Sequence, residues 1–362
     1  MARAFVLRVL ATTLSLAAAV CALNAWVDPF QAYGEARGYA PRYYPDWQRF
    51  ENPGIARHHA YDRVIAGSSL MQCMNAQEVD RALGGRTVNL ALPAQTAYGA
   101  ARLLEISLAA GKRRQVIMNL DYNAFSGAPE HDVPGAPSYL YDDTAWNDLP
   151  YLLSIETTAK SLAILLGIAD ARASLDPGSM WCWAGRRRFS AAEAVRGLDA
   201  SDLNRLYHQP ARTLEGMRAS FEANLVPLIE AHPDVRFTFV LPPYSILVWC
   251  DFRQRGQLEV TLAFRDWLLR RTSAYANVEL FDFQAEPGIV EDLANYTDIY
   301  HYSPQVANAM VAAIGSGHGR LTAQSLALND AWLRRAATQA DPALLIERAR
   351  RGPVLSAPGR AP

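Results

Sequence analysis

The rhythm of apolar and polar residues changes several times along this chain. From Val9 to Val27 it runs 19 residues without a charge, mostly Ala, Leu and Val, behind Arg3 and Arg8. At about 1.5 Å per residue a helix of that length reaches across roughly 30 Å of hydrocarbon. The two arginines ahead of it place the amino terminus in the cytoplasm and the remaining chain outside. Asp28-Pro29 ends the helix, because proline disfavours helical geometry in the residue before it. A cleaved signal peptide is the rival reading, but no small-x-small site precedes the polar region. Leu23 occupies the third position before a cut after Ala25, and Ala18-Ala19-Val20 before Cys21 makes no convincing lipoprotein site. An uncleaved membrane anchor over residues 1–27 is expected.

Residues 28–60 are rich in Tyr, Pro and Arg without a period, which predicts an irregular juxtamembrane arm. A regular alternation follows. Asp62 to Ala66 is a short apolar strand that ends in Gly67-Ser68-Ser69. Asn75-Ala76-Gln77-Glu78 can cap a helix running to Leu83, where Gly84-Gly85 stops it. Thr87 to Leu92 is a second strand, Tyr98 to Ala110 an amphipathic helix, and Gln115 to Leu120 a third strand ending at Asp121-Tyr122-Asn123. Strand and helix alternating at this spacing predict a parallel sheet with helical crossovers. The chain ends of those strands, at Ser69, Ala94 and Asn123, then share one edge.

The pattern breaks from about 127 to 211. Loop chemistry at Gly127-Ala128-Pro129 and Pro134-Gly135-Ala136-Pro137 leads to an apolar helix near Leu149 to Ile168, then to Trp181-Cys182-Trp183 and Arg186-Arg187-Arg188. This reads as an insertion beside the sheet edge, of the kind that often forms a lid or binding surface. Its tryptophans either stack on a sugar ring or form the insertion's own core, the core being the commoner role. The triple arginine reads as a solvated face rather than a steering patch. Alternation resumes with a helix over Leu214 to Ala231, strand Arg236 to Leu241, helix Leu258 to Ser273, strand Val278 to Phe283 and helix Val306 to Ile314. The domain therefore spans 61–318. A polar helical tail over about 325–351 and a disordered end are expected within 319–362.

Composition narrows the function. The 362 residues are 50% hydrophobic with a net charge of −1, enough for a sizeable core and no sign of a nucleic-acid partner. Cys21, Cys73, Cys182 and Cys250 have neither CxxC spacing nor a neighbouring histidine, which argues against zinc. With Cys21 in the membrane segment, at most one internal disulfide is expected. His58-His59 reads as a solvated turn rather than a metal pair. Neither a metal nor a cofactor is expected.

The chemistry lies at the two ends of the domain. A serine hydroxyl attacks well at neutral pH only if a base takes its proton, and that base needs a third group to fix its tautomer. Ser69 follows the first strand. Asp298-Ile299-Tyr300-His301 follows the last, and a three-residue spacing lets Asp298 orient His301 within one turn of chain. Gly-Ser-Ser alone is usually a turn, and Asp-x-x-His alone a capped turn. Their conjunction across 232 positions of alternating elements makes Ser69, His301 and Asp298 a candidate nucleophile, base and orienter.

In these residues the chain resembles the SGNH or GDSL-type hydrolases. Gly67-Ser68-Ser69-Leu70 is similar to the family's first block with Ser in place of Asp, and Asp298-Ile299-Tyr300-His301 is similar to its last. Asp28-Pro29-Phe30, the Leu120-Asp121-Tyr122 to Phe125 run and Pro242-Pro243-Tyr244-Ser245 resemble membrane-anchored members of bacterial envelopes, a group that includes polysaccharide O-acetylation proteins and the teichoic-acid D-alanyl transfer protein. The resemblance implies a three-layer, flavodoxin-like α/β sandwich with a central parallel sheet behind one transmembrane helix. It implies an oxyanion hole from the amides of Ser69 and Ala94, where the family carries Gly, and from Asn123. Tyr244, Trp181 and Trp183 are candidate substrate contacts. The function it implies is that of a serine esterase or O-acyltransferase anchored in the bacterial inner membrane, with its domain in the periplasm. Its partners would be an envelope glycan or lipid-linked saccharide and a membrane-bound acyl-donor protein. The alternative is a catalytically inactive glycan-binding or assembly subunit on the same fold.

Overall fold

The computed structural model describes residues 1–168, 170 and 173–351. Its centre is a sheet of five parallel strands, β1 (Arg63–Ala66), β2 (Thr87–Asn89), β3 (Gln115–Asn119), β4 (Arg236–Leu241) and β5 (Val278–Asp282), in the order β2-β1-β3-β4-β5. Val64 of β1 pairs with Val88 on one side and Val116 on the other, and Met118 pairs with Phe239. Every residue of β1 and β3 is buried, as strands covered on both faces must be. The parallel sheet is the one expected from the alternation, its order is flavodoxin-like as the resemblance implied, and its direction reverses between β1 and β3.

The helices, in chain order, are α1 (Ala2–Val27), α2 (Gln48–His58), α3 (Ala76–Leu83), α4 (Ala97–Ala109), α5 (Leu149–Leu152), α6 (Ile155–Leu165), α7 (Ala191–Ala194), α8 (Leu214–Asn224), α9 (Val226–Ala231), α10 (Ile246–Gln254), α11 (Leu258–Thr272), α12 (Pro287–Val290), α13 (Pro304–Ser316), α14 (Ala323–Gln339) and α15 (Pro342–Arg351). Helix α8 packs between α4 and α11, whereas α3 packs against α13. Right-handed crossovers put these two sets on opposite faces of the sheet, giving three layers. Helix α1 is long and apolar enough to cross a membrane. Most of it is exposed, and burial begins at its end with Asn24 and Val27.

Four sequence expectations change. Residues 28–60 are not an irregular arm throughout: α2 lies within them, with seven of its residues buried. Pro53 and Gly54 hid it, because both disfavour helix interiors. Gly54 is needed there, since a Cβ would come 2.0 Å from the carbonyl oxygen of Gln31. The second strand stops at Asn89, whose side chain accepts the Ala91 N–H at 2.9 Å and turns the chain. The helices expected over 149–168 and 214–231 are each two, broken where the Ser154 hydroxyl caps α6 and where Pro227 opens α9. The tail is part of the domain: Leu333 and Ala337 of α14 are fully buried. Asp330 of α14 accepts a 2.7 Å bond from wholly buried Arg265, which also pairs with Asp282 at 2.6 Å. The end expected to be disordered lies outside the described residues.

Cys73 and Cys182 form a disulfide, while Cys250 is free and buried. His58 and His59 bond to the Ala32 carbonyl and the Gln31 side chain.

Candidate active site

The carboxyl edge of the sheet gathers the chemistry. After β1 the chain turns through Gly67 at φ +110°, and a Cβ there would fall 1.9 Å from Asn119 Oδ1. Glycine is required twice over, by backbone conformation and by space. Asn119, the last residue of β3, accepts the Ser68 N–H at 2.9 Å and donates to Ser68 Oγ at 2.9 Å. Beyond the turn, Asn89 donates to the carbonyls of Met71 and Met74 at 2.9 and 3.0 Å. The Tyr302 hydroxyl donates to the Leu70 carbonyl at 2.6 Å. Two strand-end asparagines and a tyrosine thus clamp the turn that presents Ser69.

Ser69 Oγ lies 2.8 Å from His301 Nε2. The other ring nitrogen, Nδ1, is 2.8 Å from Asp298 Oδ2 and 3.0 Å from Oδ1. A carboxylate only accepts, so Nδ1 carries the proton and Nε2 is left to accept from the serine. Asp298 Oδ1 also accepts the N–H groups of Tyr300 and His301 at 2.8 and 2.9 Å. Burial disfavours charge on Asp298, but the neighbouring His301, its hydrogen bond and the two backbone amides outweigh it and hold the carboxyl below its ordinary value. The Asp-x-x-His segment therefore orients itself, as its spacing suggested.

Beside the serine lies a cavity of about 430 Å³, lined among others by Ser69, Ala94, Asn123, His131, Tyr207 and His301. The three residues expected to hold an oxyanion, Ser69, Ala94 and Asn123, thus line one cavity. Ala94 adopts φ +51°, in the left-handed region that favours glycine. Its neighbours Pro93 and Gln95 accept bonds from Arg49 of α2 at 2.5 and 3.0 Å, which holds the loop in that shape. Asn123 is oriented by Arg212, whose Nη1 donates to Oδ1 at 2.7 Å. A guanidinium cannot accept, so that atom must be the oxygen and Nδ2 is the donor.

Of the three aromatic candidates, only Trp183 reaches the site. Its Nε1 donates to the Ser69 carbonyl at 3.1 Å, and its ring meets that of His301 edge-on with centroids 5.1 Å apart. The neighbouring Cys73–Cys182 bridge ties this part of the insertion to the segment that follows Ser69. Trp181 is 1% exposed and packs edge-on to Tyr43, so it is core. Tyr244 is fully buried and donates to Asp121 at 2.9 Å. It supports the loop that carries Asn123 and cannot touch a substrate. Asp121 is equally structural, accepting the Asn123 N–H at 3.0 Å. Asn89, Asn119 and Arg212 escaped the sequence reading. The asparagines carried a signal, a polar residue closing each of two apolar strands.

No family model and no curated protein sequence matches the chain. Among solved structures, one aligned chain is provisionally named a platelet activating factor, from Streptococcus pneumonia. It shares 10% identity, with 83% of this chain and 97% of that chain covered and a TM-score of 0.38. A likeness that low carries no functional argument.

Proposed function

We propose that this protein is a membrane-anchored serine esterase or O-acyltransferase with Ser69, His301 and Asp298 as its triad. The observation that carries this is the unbroken relay from Ser69 Oγ through both His301 nitrogens to Asp298, beside a cavity that Ser69, Ala94 and Asn123 line together. As the Ser69 oxygen attacks an ester carbonyl, its proton passes to His301 Nε2 and Asp298 stabilises the resulting imidazolium. The tetrahedral oxyanion is met by the amides of Ser69 and Ala94 and by Asn123 Nδ2. Collapse breaks the ester C–O bond, and His301 returns the proton to the departing alcohol. Water or a sugar hydroxyl then attacks the Ser69 ester, its proton moving to His301, and the acyl–Oγ bond breaks as His301 returns that proton to Ser69 Oγ.

The resemblance to envelope SGNH-type proteins, together with the apolar α1, favours acyl esters of a periplasmic glycan or lipid-linked saccharide as substrate. Asn24 near the end of α1 bonds into the domain through the Leu152 carbonyl and Thr158, both at 2.8 Å. Removal of α1 as a signal peptide would strip those contacts, which supports an uncleaved anchor. The inactive glycan-binding subunit is the competing reading. Turnover of p-nitrophenyl acetate by the full-length protein in detergent distinguishes them. The expected result is acetate release that Ser69→Ala abolishes. No release from wild type, or release that survives Ser69→Ala, would favour the binding subunit.

A further inference from the structure

Helix α6 is built inside out. Its polar Thr157 and Ser161 are buried, and Ser161 Oγ donates to Asn24 Oδ1 of α1 at 2.9 Å. Ile164 is buried with them, but its other large apolar residues face outward: Ile155 is 85% exposed, and Leu162, Leu165 and, just past the helix, Leu166 are exposed as well. With exposed Ala159, positions 155, 159, 162 and 166 form a stripe at i, i+4, i+7 and i+11, the spacing of a face meant to be covered. Glu156 in the first turn is the only exposed charge on α6.

We propose that α5 and α6 rest in the outer leaflet of the membrane that α1 crosses, the lipid bilayer itself covering the apolar stripe. The inference depends on α1 being a membrane span. Its first support is continuity, because α6 packs directly on α1. Ala17, Val20 and Cys21 are partly covered on the helical face that carries Asn24, so the contact extends below the outer end of the span. The second support is chemistry. Asn, Ser and Thr bonding between helices is how polar side chains are satisfied in lipid. The third is the rim. Trp26 on α1 and Trp146 just before α5 are 72% and 93% exposed, and tryptophan concentrates where hydrocarbon meets headgroups. On its other side α6 is fixed to the domain, Lys160 lying 4.4 Å from the centre of the Tyr44 ring. The arrangement would hold the domain against the membrane by two elements, a span and an interfacial helix.

Full-length protein carrying Cys21→Ala and Cys250→Ala, with one cysteine introduced at Leu162, Leu166, Leu14 or Ser201, is labelled with bimane and reconstituted into phosphatidylcholine–phosphatidylglycerol vesicles. Quenching by brominated acyl chains is compared with quenching by aqueous iodide, after each variant is checked to melt as wild type does. The expected result is that labels at Leu162 and Leu166 lose iodide quenching and gain lipid quenching as the Leu14 label does, while Ser201 stays open to iodide. If Leu14 is lipid-quenched but Leu162 and Leu166 behave like Ser201, the proposal fails alone and the stripe is free for a protein partner. If Leu14 is itself open to iodide, the anchor reading and the proposal fall together.

Discussion

Arg212 and Asn123 are 89 positions apart in sequence and joined by one 2.7 Å bond, and that bond fixes the Asn123 amide with its oxygen toward the guanidinium. Arg212 is 3% exposed, is stacked 4.5 Å from the centre of the Phe252 ring, and takes the Gln257 side chain on its backbone N–H at 2.8 Å. Removal of an oxyanion donor typically costs about 10²–10³ in kcat, or roughly 2.7–4 kcal/mol. Asn123→Ala should fall in that range with KM little changed. Arg212→Met should lose less, because the amide keeps its nitrogen but not its orientation. The double variant should be no slower than Asn123→Ala, since both changes remove one function. Steady-state kinetics on the three variants checks this, and additive losses would contradict it.

Ala94 and Gly67 both have positive φ, yet they should respond oppositely to substitution. A left-handed conformation costs an L-residue about 1–2 kcal/mol relative to glycine. Ala94→Gly should therefore keep its ester rate and melt no lower than wild type, the relief of strain offset in part by a more flexible unfolded chain. Gly67→Ala should lose both fold stability and activity, because its methyl would meet the Asn119 oxygen at 1.9 Å. Thermal melts read alongside ester hydrolysis test the contrast.

Acid should act on Asp298 and His301 in the same direction. Asp298 has a folded pKa held below its unfolded value. Its contribution to stability is therefore fully present above the unfolded carboxyl pKa of about 3.9, and it is lost as pH falls through the lower, folded value. Asp298→Asn should remove this acid dependence and lower kcat by about 10⁴ through loss of the correct histidine tautomer. Acid should lower the ester rate as well, because general-base catalysis needs His301 Nε2 free of a proton. A pH–rate profile that stays flat as the medium is acidified would exclude a histidine base.

What could be read from sequence was local. Asp298 and His301 stood out because their three-residue spacing suffices: the Tyr300 and His301 amides and the His301 ring all bond to one carboxylate. Ser69 was legible because an apolar strand ends in small residues. The sheet followed from alternation, since each buried strand is nearly continuous in apolar residues. Partners brought in by the fold were not legible. Asn119 meets Ser68 across 51 positions and Trp183 meets Ser69 across 114, and no period links such pairs. Helix α2 was missed because its Pro53 and Gly54 contradict local propensity and are compensated by tertiary packing, as the close approach of Gly54 to Gln31 makes plain.

An activated Ser69 should react with a fluorophosphonate when the full-length protein is exposed to one. The expected result is a single adduct, mapped by peptide mass spectrometry to Ser69, absent from Ser69→Ala and slowed in His301→Ala. A wild-type protein that stays unmodified, or an adduct that persists in Ser69→Ala, would contradict it.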